Sequence, residues 1–433
     1  MNEITHDPKE FARGLLQILI SDAKKIGFLF GAGTSFAVKN DSYPKSRVPA
    51  VREMTKKIVN AIKEEKEEYK CALKEIEEEL LESGIDFNIE YLLSNIIQKE
   101  VVIGKGKLCG LGKENFKDLQ GIIKGKVIEL VSVHKDKDLF LSELIHRDFA
   151  QWIGQASRKF PIEIFTTNYD YLFEIGLESH NIPYFDGFVG SLEPFFHPVF
   201  VEDIYFLPNV TKLWKIHGSL GWDLNSENKK IIRSYRDESK IVIFPSLQKY
   251  DDSKKQPYVS YLDRLSKFLK QDDAVLFVCG YSFGDQHIND VILNALTSTK
   301  TSHIFALIFD RCKDKDDKRI YTLEENSAIA KLGMIQTKLS IYGMRSAVIG
   351  GKFGKWKLKS EPSKEDSLTV NYYFDEDAPE DPNTEKKVET LNGLKWTGEG
   401  EFILPDFKKF VNFLSYLNYE NYLSVKSKNE QSM

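Results

Sequence analysis

The sequence predicts an α/β protein built on a parallel sheet, and three observations carry that prediction. Continuous apolar runs recur at Ile26–Phe30, Ile162–Phe165, Lys212–Ile216, Ile241–Phe244, Ala274–Cys279 and His303–Phe309, as in strands buried on both faces. Segments with helical apolar spacing stand among them, at Tyr258–Lys270, at Asp285–Thr297 and from about Tyr171 onward. Strands that alternate with helices imply a sheet covered on both sides. Four of the runs lead into short segments rich in glycine, small hydroxyls, an amide or an imidazole. Open α/β sheets bind ligands at that carboxyl edge.

In chain order, Phe11–Ser21 carries helical spacing through Phe11, Leu15, Leu16 and Leu19, and Ile26–Phe30 is the first strand, ending in a tight turn at Gly31. From Pro49 to about Ser157 the pattern changes. Met54–Tyr69, Ala72–Ser83, Ile89–Ile97 and Leu139–Ile153 set apolar residues every three or four positions among dense Lys and Glu, the pattern of amphipathic helices with solvated faces. This reads as a helical insertion that packs on the sheet and covers the cleft. Gly104–Lys113 is a Gly/Lys surface loop without the GxxxxGK[ST] pattern of a phosphate-binding loop. After Met344, Lys357–Lys387 is polar and reads as a loop-rich hairpin region, Phe402–Leu417 as an amphipathic helix with Pro405 near its first turn, and Ser424–Met433 as a disordered polar tail. The domain division expected is 1–50 with 158–344 as a ligand-binding domain, 51–157 as the insertion, and 345–433 as an extension for assembly.

Composition narrows the class. The chain has 433 residues, 42% hydrophobic and 12% aromatic, enough for a packed core and more than one unit. A formal net charge of −5 gives no global basic excess, so direct nucleic-acid binding is not expected. Cys71, Cys109, Cys279 and Cys312 are scattered without a CxxC pair. No metal site is expected, and the thiols suit a reducing cytoplasm. The polar N-terminus does not read as a signal peptide, and no apolar run reaches the roughly 18 residues of a membrane span. A cytoplasmic protein away from membranes is the expectation.

The chemistry lies in four motifs: GlyAlaGlyThrSer at Gly31–Ser35, ThrThrAsnTyrAsp at Thr166–Asp170, LysIleHisGlySer at Lys215–Ser219, and GlyTyrSerPheGlyAsp at Gly280–Asp285. A GxG turn between strand and helix lets backbone N–H groups approach a pyrophosphate, although a tight turn alone explains it as well. Asn168 can hold ribose hydroxyls or orient a water. Asp170 can accept from an amide or cap the next helix. His217 can serve as a general base near neutral pH, or be a structural histidine bonded to a carbonyl. The other seven histidines have no comparable context. Ser282 can bond a phosphate or ribose, and Asp285 is placed to cap the following helix. GYSFG also satisfies GxSxG, but a hydrolase triad runs Ser, acid, His. The last histidine, His303, follows Ser282 too closely to leave room for that fold's later strands.

The ordered set GAGTS, TTNYD, KIHGS and GYSFGD resembles the sirtuin family, and more specifically the sirtuin-like NAD-consuming proteins of bacterial anti-phage defence. The resemblance spans about Ile26–Thr297. It implies a Rossmann-like parallel sheet, here with a large helical insertion and a small C-terminal α+β extension. It implies NAD as substrate, with Gly31, Ala32, Gly33, Thr34 and Ser35 at the phosphates and adjoining ribose. Asn168 would hold the nicotinamide ribose and a water, and Asp170 the carboxamide, with Thr167 and Gly218 beside them. His217 would be the base, and Gly280 and Ser282 would meet the adenosine side. Sirtuin deacylases carry a four-cysteine zinc module after the His-Gly motif, whereas Ser219–Ser239 has no cysteine. Their arginine-bearing segment after the first glycine motif is replaced by Phe36–Arg52. Both departures turn the expectation from deacylation to NAD hydrolysis as a defence effector. The size and helical end of the region after Met344 resemble subunits that assemble, as homo-oligomers, with a HerA-type hexameric ATPase. The alternatives are an NAD-dependent deacylase or ADP-ribosyltransferase, and a non-catalytic NAD- or ADP-ribose-binding subunit.

Overall fold

The computed structural model describes residues 4–39, 47–136, 141–156, 158–225, 227–234, 255–313, 318–363, 366, 368–376 and 397–417. Ten strands form one sheet: β1 Thr5–His6, β2 Lys25–Phe30, β3 Glu163–Thr166, β4 Tyr184–Phe185, β5 Thr211–Lys215, β6 Ala274–Cys279, β7 His303–Leu307, β8 Leu339–Tyr342, β9 Ser346–Ile349 and β10 Lys352–Trp356. Their order is β1-β10-β9-β8-β7-β6-β2-β3-β5-β4. Neighbours from β8 through β4 pair in parallel, β9 and β10 follow β8 as an antiparallel hairpin, and β1 pairs in parallel with β10 at that edge. The central strands are buried along their whole length, which is why they read as unbroken apolar runs rather than alternating ones. The run Ile241–Phe244 lies outside the described residues.

Register decides what the sheet presents. Phe30 is paired with both Thr166 and Cys279, and Thr166 with Lys215. All four motifs therefore leave the sheet at one level and one edge.

The helices are α1 Pro8–Ile20, α2 Val51–Glu65, α3 Glu67–Glu82, α4 Ile89–Val102, α5 Lys113–Val131, α6 Ile145–Gln155, α7 Leu172–Ser179, α8 Tyr258–Leu269, α9 Gln286–Ser298, α10 Ala328–Ile335 and α11, residues 407–417. Alternate residues of each strand face opposite sides. Phe28 and Phe30 pack beneath α1, α6, α7 and α11, while Leu29 packs beneath α8, α9 and α10. Four helices, α2 to α5, gather around a core of their own, with Ile62, Tyr69, Ile76, Leu93, Phe116 and Ile123 fully buried.

Several boundaries differ from the sequence reading. The span Met54–Tyr69 breaks at Lys66, whose extended backbone separates α2 from α3. Helix α5 was not anticipated. The loop Gly104–Lys113 is pinned by a bridge between Leu108 and Leu111, and Leu111 is buried in the helical core. The C-terminal helix does not begin at Phe402, because Gly400–Phe402 is a strand paired with Phe374–Glu376. Helix α11 starts after Asp406, whose carboxylate accepts from the Lys409 N–H at 3.0 Å as an N-cap. Pro405 thus lies before the helix rather than in its first turn. Sheet strands continue past residue 344, and α11 is part of the sheet's core: Phe410 lies 6.2 Å from Phe28 and 6.0 Å from Phe277, ring to ring.

Candidate active site

At the carboxyl edge the first and fourth motifs interlock through backbone. The Gly31 N–H donates to the Cys279 carbonyl at 3.1 Å, and the Gly33 N–H to the Gly280 carbonyl at 3.0 Å. A Cβ on Gly31 would sit 2.5 Å from the Gly280 oxygen, and one on Gly280, at φ +68°, 2.7 Å from the Thr34 nitrogen. The glycines are needed because two turns pack backbone against backbone. The N–H groups of Gly31, Gly33 and Thr34 are all bonded within this interlock, and Ala32–Phe36 is only a single helical turn.

The small hydroxyls of the first motif organise the second. Asn168 Nδ2 donates to the Gly31 carbonyl at 3.0 Å, to Thr34 Oγ1 at 3.1 Å and to Ser35 Oγ at 2.7 Å. A carbonyl only accepts, so that contact fixes which way the amide faces. Ser35 Oγ in turn donates to Asp170 Oδ2 at 2.6 Å, and Asp170 Oδ1 accepts from the Leu172 N–H at 3.0 Å. Asp170 thus caps the start of α7 and anchors Ser35 at once. Asn168, Thr34, Ser35 and Asp170 are all buried.

His217 follows β5 and is 4% exposed. It is carried by a turn in which the Gly218 N–H bonds the Lys215 carbonyl and Gly218 takes φ +90°. Beneath it Lys215 Nζ donates to Glu174 Oε1 at 2.7 Å and to the Asp170 carbonyl. Burial pushes the Glu174 carboxyl above its ordinary range, with the Lys215 charge opposing that shift. The structure corrects one expectation: His287, in the first turn of α9, does have context. Its Nε2 lies 3.4 Å from His217 Nε2. Asp285 stands at the N-cap of α9, where its carbonyl rather than its carboxylate accepts from Ile288 and Asn289.

A cavity of about 440 Å³ opens here, walled by Ala32, Gly33, Ser35, Thr167, Asn168, Asp170, His217, Gly280 and Ser282. Gly31, Thr34 and Gly218 stand outside that wall. A second cavity of about 480 Å³ lies at the ends of β6 and β7, and the two share Gly33, Phe36, Gly280, Tyr281 and Ser282. Ser282 is exposed at the junction. The sequence reading expects the insertion over the cleft but does not single out the residues that face it. Met54, Ile89, Glu90 and Val131 of the helical insertion close the first cavity, and Pro405–Lys408 close the second. These residues are ordinary members of amphipathic helices and a turn, and no local signal marks them. His303 bonds Ser340 at 2.9 Å at the amino end of β7, the opposite end of the sheet from Ser282, so His303 does not complete a triad with Ser282.

A family model described as "SIR2-like domain" matches residues 162–330. No curated protein matches the chain. Among solved structures, the chain is similar to one described as "Structural Basis for the Mechanism and Regulation of Sir2 Enzymes", at 12% identity and a TM-score of 0.30, over 68% of this chain and 85% of that one. The second, third and fourth motifs fall within the family match, and the register of β2 brings the first motif alongside them. Residues 162–330 are therefore similar to a SIR2-like domain, and they lie in an α/β protein with a parallel-dominated sheet.

Proposed function

We propose that this protein is an NAD hydrolase, converting NAD to nicotinamide and ADP-ribose, with Asn168 and His217 as its catalytic residues. The observation that carries the reading is the convergence of a fixed amide and a buried imidazole on one cavity, which joins a second cavity at Ser282. Two joined cavities suit a ligand with two nucleoside halves. The nicotinamide ribose would occupy the first and the adenosine half the second, with the pyrophosphate passing Gly33, Gly280 and Ser282.

The C1′–N bond to a cationic pyridinium breaks with its electron pair passing to nicotinamide, so no strong acid is required. Water adds to C1′, and its proton passes to His217, a transfer contributing roughly 10²–10⁴ in rate. Asn168, held by the first motif, fixes ribose and water in line. The helical insertion closes the cavity from the far side and limits competing water. Because Gly31, Gly33 and Thr34 N–H groups are internally bonded, the phosphates would be met by the Ser282 hydroxyl rather than by those three.

The proposal includes a role as an anti-phage defence effector that depletes NAD, acting as a homo-oligomer gated by assembly or by a HerA-type ATPase. That part rests on the resemblance of the motif set and on the similarity to a SIR2-like domain. The test is NAD consumption by purified protein across a range of concentrations, with and without such an ATPase, with products separated by chromatography. Nicotinamide and ADP-ribose from the wild type, and none from Asn168→Ala or His217→Ala at unchanged melting temperature, is the expected outcome. Wild-type turnover in either variant overturns the assignment.

A further inference from the structure

We infer that His287 is a positioning residue that sets the ring orientation and tautomer of His217, an inference resting on the reading of His217 as the base. The two Nε2 atoms are 3.4 Å apart, at the long end of hydrogen-bonding distance, with ring centroids 5.5 Å apart and planes inclined by 35°. Both rings are buried, at 4% and 7% exposure.

An imidazole–imidazole contact through two Nε2 atoms binds only when one is protonated and the other bare. The pair therefore couples the tautomers of the two rings. Once His217 has taken a proton from substrate water it becomes a double donor, and a neutral His287 can then accept from it at Nε2. No bond to carbon changes; His287 stabilises the charge that forms on the base.

The mounting of His287 is rigid. Asn289, two residues on, donates from Nδ2 to the Phe283 carbonyl at 2.7 Å and accepts from the Tyr281 hydroxyl at 3.1 Å. The GYSFGD turn and the first turn of α9 are thereby tied together, with Ser282 on one side of the tie and His287 on the other. The fourth motif thus reaches both the cavity junction and the base.

Two variants separate positioning from packing. His287→Gln keeps an amide near the Nε2 position, and His287→Leu keeps bulk without a polar atom. For Leu, kcat for NAD should fall roughly ten- to a hundredfold with KM little changed, and Gln should recover most of it, both at near wild-type melting temperature. In protein labelled with ¹⁵N-histidine, with the His217 signals identified by their loss in His217→Ala, the Leu variant should move the His217 ring nitrogens and Gln should largely restore them. An unmoved His217 spectrum in the Leu variant, or wild-type kcat there, overturns the inference. Absence of NAD turnover in the wild type, alone and with its ATPase, would instead overturn the hydrolase reading, and the nitrogen spectra would still decide the pairing.

Discussion

Asn168 donates from a single nitrogen toward three oxygens, two of which, on Thr34 and Ser35, belong to the first motif's hydroxyls. A carboxylate in its place would set an oxygen against the Gly31 carbonyl, with no proton between them. Asn168→Asp should therefore be as inactive as Asn168→Ala, although it is nearly isosteric. Ser35→Ala removes the hydroxyl that bridges Asn168 to Asp170. It should lower kcat roughly ten- to a hundredfold through misplacement of the amide, read by steady-state NAD kinetics at unchanged melting temperature. At this scale the sequence was informative where residues sit in a motif. Asn168 and His217 stand out by type and by position after a strand. His287 does not, since a histidine in a helix gains meaning only from what it faces.

At the scale of elements, the strands that carry the motifs, and β7, are legible because burial on both faces forces long apolar runs, whereas β1, β4, β8, β9 and β10 carry no such run and the sequence does not mark them. Helix ends were less so. Phe402 suits either a strand or the apolar stripe of a helix, and only its pairing with Phe374 resolves the choice. Helix α5 keeps regular apolar spacing through Phe116, Leu119, Ile123, Val127 and Val131, while Gly121 and Gly125 lower its helix propensity, and its apolar face is buried in the core it shares with α4. Helix α11 completes one face of the sheet. Phe410→Ala would open a cavity against Phe28 and Phe277 and should destabilise the protein by about 3–5 kcal/mol. Denaturant unfolding measures this. A loss below about 1 kcal/mol would show that α11 is dispensable to the core.

At the scale of the molecule, His146 joins three helices of one layer, α6, α7 and α11. It lies on α6, edge-on to Phe173 of α7 at 4.6 Å and 5.2 Å from Phe407 of α11, and is 1% exposed. Burial drives its pKa from 6.5 to about 4, with Asp170 pulling it up and Lys215 pushing it down. The unfolded chain takes up the proton near pH 6.5, and the folded one only near 4. The stability this group leaves intact is therefore complete above 6.5 and is lost as pH falls toward 4, by about 3 kcal/mol at most. Denaturant midpoints at pH 7 and pH 5 should show the loss, and His146→Leu should reduce it. An identical acid slope in that variant would assign the effect to other groups.

The sequence by itself determined the fold class, the strands that carry the four motifs, and the residue types gathered at their ends. These follow from local rules: burial sets apolar periodicity, and tight turns demand glycine. Tertiary structure decided the rest. Register placed Gly31 against Gly280, which committed their turn's N–H groups to the interlock and made its hydroxyls a cradle for Asn168. Packing brought His287 to His217 and the turn before α11 over the second cavity, and it selected which residues of the insertion, expected over the cleft, line the first. Such contacts join residues tens to hundreds of positions apart, and no local periodicity encodes them.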